Sequence, residues 1–371
     1  MGPRAAFTMA CCTGALVVAS AAVSCGARTG LFSEPDESVG GGPEGGVGSP
    51  DQFIPDQSVP DRLFPDVFAF PDVFAFPDVV KKDVSDDLPG IEAARPDAPV
   101  FNPCPDAAAT LIYVIGQSGT LYSYDPPTAT FTTIGVVSCP GSEGTTPFSM
   151  AVDREGVAYV EFFSQSQPAN LPVGADLYRV STKTAACTQT AYNPAAIERV
   201  TYGMGFVANV GDASDAGETL FIAEQPLFPD GGSADDILAT VDTTTFAVTP
   251  VGAFSPQAAL AELTGTGDGR LFAFYNQGGF GAQSSILGQI DPATAQVVAQ
   301  DVLALPQGSG WAFGFWGGDF YMFTAPFPTN DTRIHTIVTR FNLTDRSLIQ
   351  EAALPNDIIV GAGVSTCAPS Q

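Results

Sequence analysis

The chain has 371 residues, with 14 Lys and Arg against 40 Asp and Glu, a formal net charge of −26, one histidine and seven cysteines. So acidic a protein repels a polyanion, which excludes nucleic-acid binding by phosphate neutralisation, and one imidazole leaves little for His-rich zinc sites or histidine relays. At roughly 100–200 residues per domain, the length suggests two domains or one large repeat array.

The N-terminus reads as an export signal. Arg4 precedes an apolar stretch from Ala5 to Val23 that is too short to span a bilayer comfortably. It ends in Ala22-Val23-Ser24-Cys25-Gly26, which resembles a bacterial lipobox, with Ala22 where Leu is usual. The resemblance implies cleavage after residue 24 and acylation of Cys25; the alternative is ordinary cleavage, a spare thiol and a secreted product. A di- or triacylated cysteine is held stably by the lipid bilayer, whereas one chain is marginal. Gly26 stands where an aspartate would imply inner-membrane retention, so the likeness implies the outer membrane, on its periplasmic or its outer face. The run Cys25-Gly-Ala-Arg-Thr-Gly-Leu-Phe32 resembles the start of predicted myxobacterial secreted lipoproteins; it speaks to export, not activity.

Residues 25–100 read as a disordered Gly/Pro/Asp-rich tether. Prolines recur from Pro50 with period five, then six, and Pro65-Asp-Val-Phe-Ala-Phe repeats identically from Pro71. Proline at this density removes backbone donors and favours polyproline II, giving a semi-rigid spacer. Phe68, Phe70, Phe74 and Phe76 are unexpected in a spacer. Internal duplication accounts for them, with docking to an envelope partner as the alternative.

Residues 101–371 carry an internal repeat. Five segments share an apolar strand ending in Asp, Ser or Asn, usually followed three residues on by Thr. Their marker residues are Asp125, Ser181, Asp242, Asp291 and Asn342, spaced by 49–61 residues. The markers can close Asx-type turns by accepting from backbone two residues on, so they read as turn formers rather than catalysts. Two further apolar runs joined by a tight turn precede most of these hairpins. Four short strands in about 50 residues, without helical periodicity, is the pattern of a β-propeller blade. Five blades are expected, or six if a weak repeat lies between Ala191 and Ala216.

The first repeat lacks its opening strand, and Ile358-Ile-Val-Gly-Ala-Gly-Val364 follows the last. The C-terminal run therefore completes blade one and closes the ring, abolishing free sheet edges. Closure brings Cys104 to Cys367 and leaves Cys139 to pair with Cys187, in keeping with an oxidising compartment.

Signals for chemistry are weak. Gly265-Thr-Gly-Asp-Gly269 opens no helix and reads as a hairpin turn, not a dinucleotide loop. Gly116-Gln-Ser-Gly119 falls short of a nucleophile elbow at Ser118. His335 belongs to the outer part of blade five. Asp212, Asp215 and Glu218 offer a weak calcium candidate, without EF-hand spacing; Phe228-Pro-Asp-Gly-Gly-Ser-Ala-Asp-Asp236, like it, reads as a solvated turn. Asp153 and Trp316 are candidate ligand contacts near the axis, while Trp311, Phe313 and Phe315 share one strand face and read as interblade core.

The leading expectation is a non-enzymatic, monomeric outer-membrane lipoprotein, without cofactor, presenting its propeller to an envelope protein, glycan or small ligand. One alternative is a hydrolase resembling the calcium-dependent lactonase and gluconolactonase-like propellers. That likeness implies acidic metal ligands at the axis, and Gly205, Thr264 and Gly317 provide no counterparts to Asp153. The other is a structural envelope component.

Overall fold

The computed structural model describes residues 88–92, 111–163, 175–193, 201–210, 217–225, 236–276, 282–327 and 335–369. The export signal, Cys25, the proline repeats and Cys104 lie outside the described residues.

Five four-stranded antiparallel sheets form a five-bladed β-propeller. Blade two comprises β4 (Thr146–Val152), β5 (Val157–Phe163), β6 (Asp176–Ser181) and β7 (Cys187–Gln189). Blade three follows with β8 (Thr201–Ala208), β9 (Glu218–Gln225), β10 (Ile237–Val241) and β11 (Val248–Ala253). Blade four contains β12 (Ala259–Gly265), β13 (Leu271–Asn276), β14 (Ser285–Ile290) and β15 (Val297–Leu303). Blade five is β16 (Trp311–Trp316), β17 (Asp319–Thr324), β18 (His335–Phe341) and β19 (Leu348–Pro355). The 191–216 interval holds β8, the inner strand of blade three, rather than part of a sixth blade.

Blade one joins the two ends of the repeat array: β20 (Ile359–Val364) pairs with β1 (Ile112–Gly116), and β2 (Thr120–Asp125) and β3 (Thr130–Val136) lie outside them. Ring closure by the C-terminal strand is as expected. Cys139 and Cys187 form a disulfide with Cα atoms 5.1 Å apart. Cys367 is also disulfide-bonded.

Hydrophobic burial is organised between blades. There are five core clusters, one at each interface between adjacent blades. Large aromatics fill the wedges: Tyr159, Tyr202 and Phe206 between blades two and three, and Phe272, Phe313 and Phe320 between blades four and five. Toward the axis the strands converge and side chains must shrink. A methyl group on Gly361 of β20 would lie 2.8 Å from the Met150 nitrogen of β4, and one on Gly205 of β8 would lie 2.9 Å from the Thr264 Cα of β12. Glycine is what permits this backbone contact.

The repeated hairpin turns follow their marker residues. Asp242 Oδ1 accepts from the backbone N–H of Thr244 (2.7 Å) and Thr245 (2.9 Å), Asn342 Oδ1 from Thr344 and Asp345, and Ser181 Oγ from Lys183 and Thr184. Asp125 differs because Pro126 and Pro127 have no N–H; a 3-10 turn forms, and Asp125 Oδ2 accepts instead from the Thr128 hydroxyl. Four residues after each marker the chain adopts a left-handed conformation: Ala129, Ala185, Phe246, Ala295 and Arg346 have φ between 52° and 63°.

One packed segment falls within the stretch expected to be a disordered tether. Ile91 is fully buried against Phe272, Phe274 and Leu287. Pro89 O accepts from Gln300 N–H at 3.0 Å, Ile91 N–H donates to Asp301, and Arg346 and Arg270 donate to the carbonyls of Ile91 and Glu92. The boundary at residue 100 therefore does not mark the limit of chain packed on the propeller. An isoleucine among the prolines supplies the apolar anchor, and the segment's polar backbone groups find partners on blades four and five.

Candidate ligand cavity at the axial mouth

The five inner strands, β4, β8, β12, β16 and β20, all begin at one end of the axis. There they surround a cavity of about 220 Å³, to which each contributes a residue at or near its start: Thr146, Thr201, Leu260, Trp311 and Val360.

Three of these strands are bulged where they meet the cavity. The ladder shifts between Pro147 and Met150 in β4, between Ala259 and Glu262 in β12, and where Ile359 and Gly361 of β20 meet β1. A bulge adds a residue and re-aims its neighbours. Here Phe148, Leu260 and Val360 occupy the irregular stretches and line the cavity. Leu260 takes φ of 55°, a conformation disfavoured for its side chain. Its carbonyl accepts from Trp311 Nε1 at 3.3 Å, tying the bulge to the indole.

Below the aromatic rim lies a polar floor. Ser149 Oγ donates to Glu262 Oε2 at 2.7 Å and accepts from Met204 N–H at 3.2 Å. Gln225 is fully buried; its Nε2 donates to Ala261 O at 2.8 Å, while its Oε1 has no hydrogen-bond partner among the described residues. Behind them, Glu161 accepts from Tyr202 N–H through both oxygens, at 3.2 and 3.3 Å. Burial holds the Glu161 and Glu262 carboxyls well above the usual carboxylate range, and the Glu262 charge raises Glu161 further.

At the opposite end of the axis, side chains of blades two and three and the segment after β20 are hydrogen-bonded together. Glu218 accepts from Arg154 N–H at 2.7 Å and from Thr366 Oγ1 at 2.8 Å, and Arg154 Nε donates to Thr366 Oγ1. Burial pushes Glu218 up to about 7 and Asp153 up to about 6.

The sequence-predicted site residues are dispersed. Asp153 is buried in the β4–β5 turn, where Oδ1 accepts from Val157 N–H at 2.8 Å. Asp212 and Asp215 lie outside the described residues, and both oxygens of Glu218 are engaged as above. Among the described residues, no group of three or more His, Cys, Asp or Glu is placed to hold a metal ion. Trp316 is at the far end of β16, edge-on to Tyr321 with centroids 6.4 Å apart, so the tryptophan at the cavity is Trp311. Phe313 and Phe315 are interblade core, and Trp311, grouped with them by strand period, packs against the same core and also lines the cavity.

The remaining motifs are structural. Ser118 Oγ donates to Asp357 at 2.6 Å in a hairpin turn. Gly265–Gly269 is the β12–β13 turn, with Gly269 at φ 81°. His335 opens β18, opposite Pro355. Asp236, expected in a solvated turn, is 1% exposed, and its Oδ2 accepts from Ala261 N–H at 3.1 Å. Its carboxylate holds the β12 bulge, which requires a buried acceptor.

Glu161, Glu262 and Gln225 escape a motif search because they come from three different blades. The available signal is a polar residue inside an apolar strand run, as in Val157-Ala-Tyr-Val-Glu161-Phe-Phe and Leu260-Ala-Glu262-Leu.

No family model and no curated protein matches the chain. Solved structures similar to it include TolB from Acinetobacter baumannii, at 7% identity over 69% of this chain and 66% of that chain, with a TM-score of 0.37. Hydrazine synthase from Kuenenia stuttgartiensis matches at 15% identity over 67% and 65%, with a TM-score of 0.31. An exo-beta-1,3-galactanase from Phanerochaete chrysosporium matches at 10% identity over 66% and 54%, with a TM-score of 0.40. The chain thus spans just under two thirds of the length of the first two. Among the described residues no helix is long and apolar enough to cross a membrane.

Proposed function

We propose that this protein is an exported, lipid-anchored binding protein of the cell envelope whose propeller receives a small ligand, or a side-chain-sized group of a larger partner, in the axial mouth cavity. The observation that carries the reading is the buried Gln225 Oε1, an acceptor left without a partner beside Glu262 on the floor of a cavity walled by Phe148, Phe163 and Trp311. A buried acceptor without a donor is costly, and a ligand donor would remove that cost. Arg4, the apolar stretch to Val23 and the lipobox-like Ala22–Cys25 support export and anchoring.

Fragment soaking of the crystallised propeller tests the cavity. Fragments are expected to seat between Trp311 and Gln225 and to be lost in Thr146→Trp, which fills the mouth. Fragments found elsewhere, with the cavity empty, would overturn the reading. Lipid labelling that is lost in Cys25→Ala tests the anchor separately.

A further inference from the structure

We propose that the mouth cavity selects a primary ammonium group carried on a short apolar or aromatic body, with the ammonium placed against Glu262 and Gln225. This rests on the reading of the cavity as a ligand site and names the chemistry of what fills it.

The polar groups on the floor are acceptors in excess. Gln225 has spent its donor on Ala261 O and presents an unpaired Oε1; Glu262 accepts from Ser149 through one oxygen. Glu262 is the sole ionisable residue in the described lining, and neither it nor Glu161 is in an ion pair among the described residues. An ammonium has three donors and no acceptor, so it complements such a floor, whereas a carboxylate or phosphate would set further acceptors and negative charge beside Glu262 and Gln225 Oε1. A neutral hydroxyl could donate to Gln225 but brings no positive charge to pair with Glu262 as a carboxylate.

The rim completes the match. Phe148, Phe163 and Trp311 offer aromatic surface to an apolar body, and aromatic faces attract a nearby cation. At about 220 Å³ the cavity is smaller than the ~300–1,000 Å³ of drug-sized pockets. It therefore suits a small free amine or the end of one lysine side chain.

Titration calorimetry on the full chain tests this with phenethylammonium, its neutral analogue 2-phenylethanol, Nα-acetyl-lysine amide and calcium chloride. Phenethylammonium should bind at least tenfold more tightly than the alcohol. Glu262→Gln should erase that preference, and Thr146→Trp should remove binding of both. Binding of Nα-acetyl-lysine amide as tight as that of the free amine assigns the source as a protein side chain; weaker binding assigns a small metabolite-like amine, and either result supports the ammonium. Equal affinity for amine and alcohol in the wild-type protein overturns the ammonium, yet keeps the cavity as a ligand site. Calcium that displaces the amine, and whose own binding is lost in Glu262→Gln, overturns it in favour of a metal. Silence from every probe at millimolar concentration overturns both this inference and the reading beneath it. Should Glu262→Gln fail to fold, the amine-to-alcohol ratio in the wild-type protein decides alone.

Discussion

Carboxyls held in the interior of an otherwise apolar array shape the pH response of this fold. Burial raises the carboxyl of Glu161 above its unfolded value of about 4.3, so the folded state holds a proton that the unfolded chain releases. Stability from this group is therefore greatest in acid and falls as pH rises above about 4 toward the folded value. Glu218, pushed up to about 7, acts in the same direction. Glu161→Gln keeps an acceptor for Tyr202 N–H and removes the proton linkage. Its melting temperature is expected to exceed that of the wild-type protein at pH 8, with the difference shrinking toward pH 4. Thermal scans showing the same difference at both pH values would count against a titrating Glu161. The left-handed residues of the five hairpins also belong to this scale. Ala129, Ala185, Phe246, Ala295 and Arg346 were invisible as turn signals because none is glycine. In four of the five hairpins an α-turn fixes the position, as where Phe246 N–H donates to Asp242 O at 2.7 Å, and the hydrogen bond offsets the unfavourable φ.

At the scale of strands and segments, close approach and docking decide what each position tolerates. Gly361→Ala puts a methyl group 2.8 Å from a neighbouring backbone nitrogen, and overpacking of this kind costs about 1–3 kcal/mol. In Gly252, a Cβ meets its nearest atom at 3.9 Å, so Gly252→Ala is the control and should denature at nearly the wild-type urea concentration. The Leu88–Glu92 segment behaves differently, because it is attached to the ring rather than part of a sheet. Ile91→Asp should release it while leaving the five sheets intact. Hydrogen exchange at the Gln300 amide, which donates to Pro89 O, should rise sharply with little change at the inner strands. Protection unchanged at Gln300, or collapse of the whole fold, would contradict that picture. Strand number and hairpin position were legible here because the marker residues repeat. The cavity was not: its wall depends on bulges at Phe148, Leu260 and Val360, and a bulge depends on partners such as Asp236 in the strand next door rather than on a local pattern.

The ring was legible for a related reason. An array that begins on its second strand and ends with one strand too many can satisfy both edges by joining them, and β20 does pair with β1. The same step places Ile359, Ala362 and Val364 in the core cluster between blades five and one, so closure contributes apolar burial as well as a ladder. The Cys139–Cys187 bridge stabilises the ring differently. It closes a loop of 48 residues, for which chain entropy gives roughly 4 kcal/mol, so the Cys139→Ser/Cys187→Ser variant should unfold earlier yet remain a cooperative propeller. Ending the chain at Asn356 is more severe. It leaves the inner edge of β1 unpaired, exposes the blade-five interface and removes β20 from its place between β16 and β4, so no blade can compensate locally. The truncated chain should lose its sharp thermal transition and self-associate through the bare edge. A truncated protein that melts cooperatively, as a monomer, at the wild-type temperature would mean that each blade is stable without the closed circle, and the interblade cores could not then be what holds the cavity in shape.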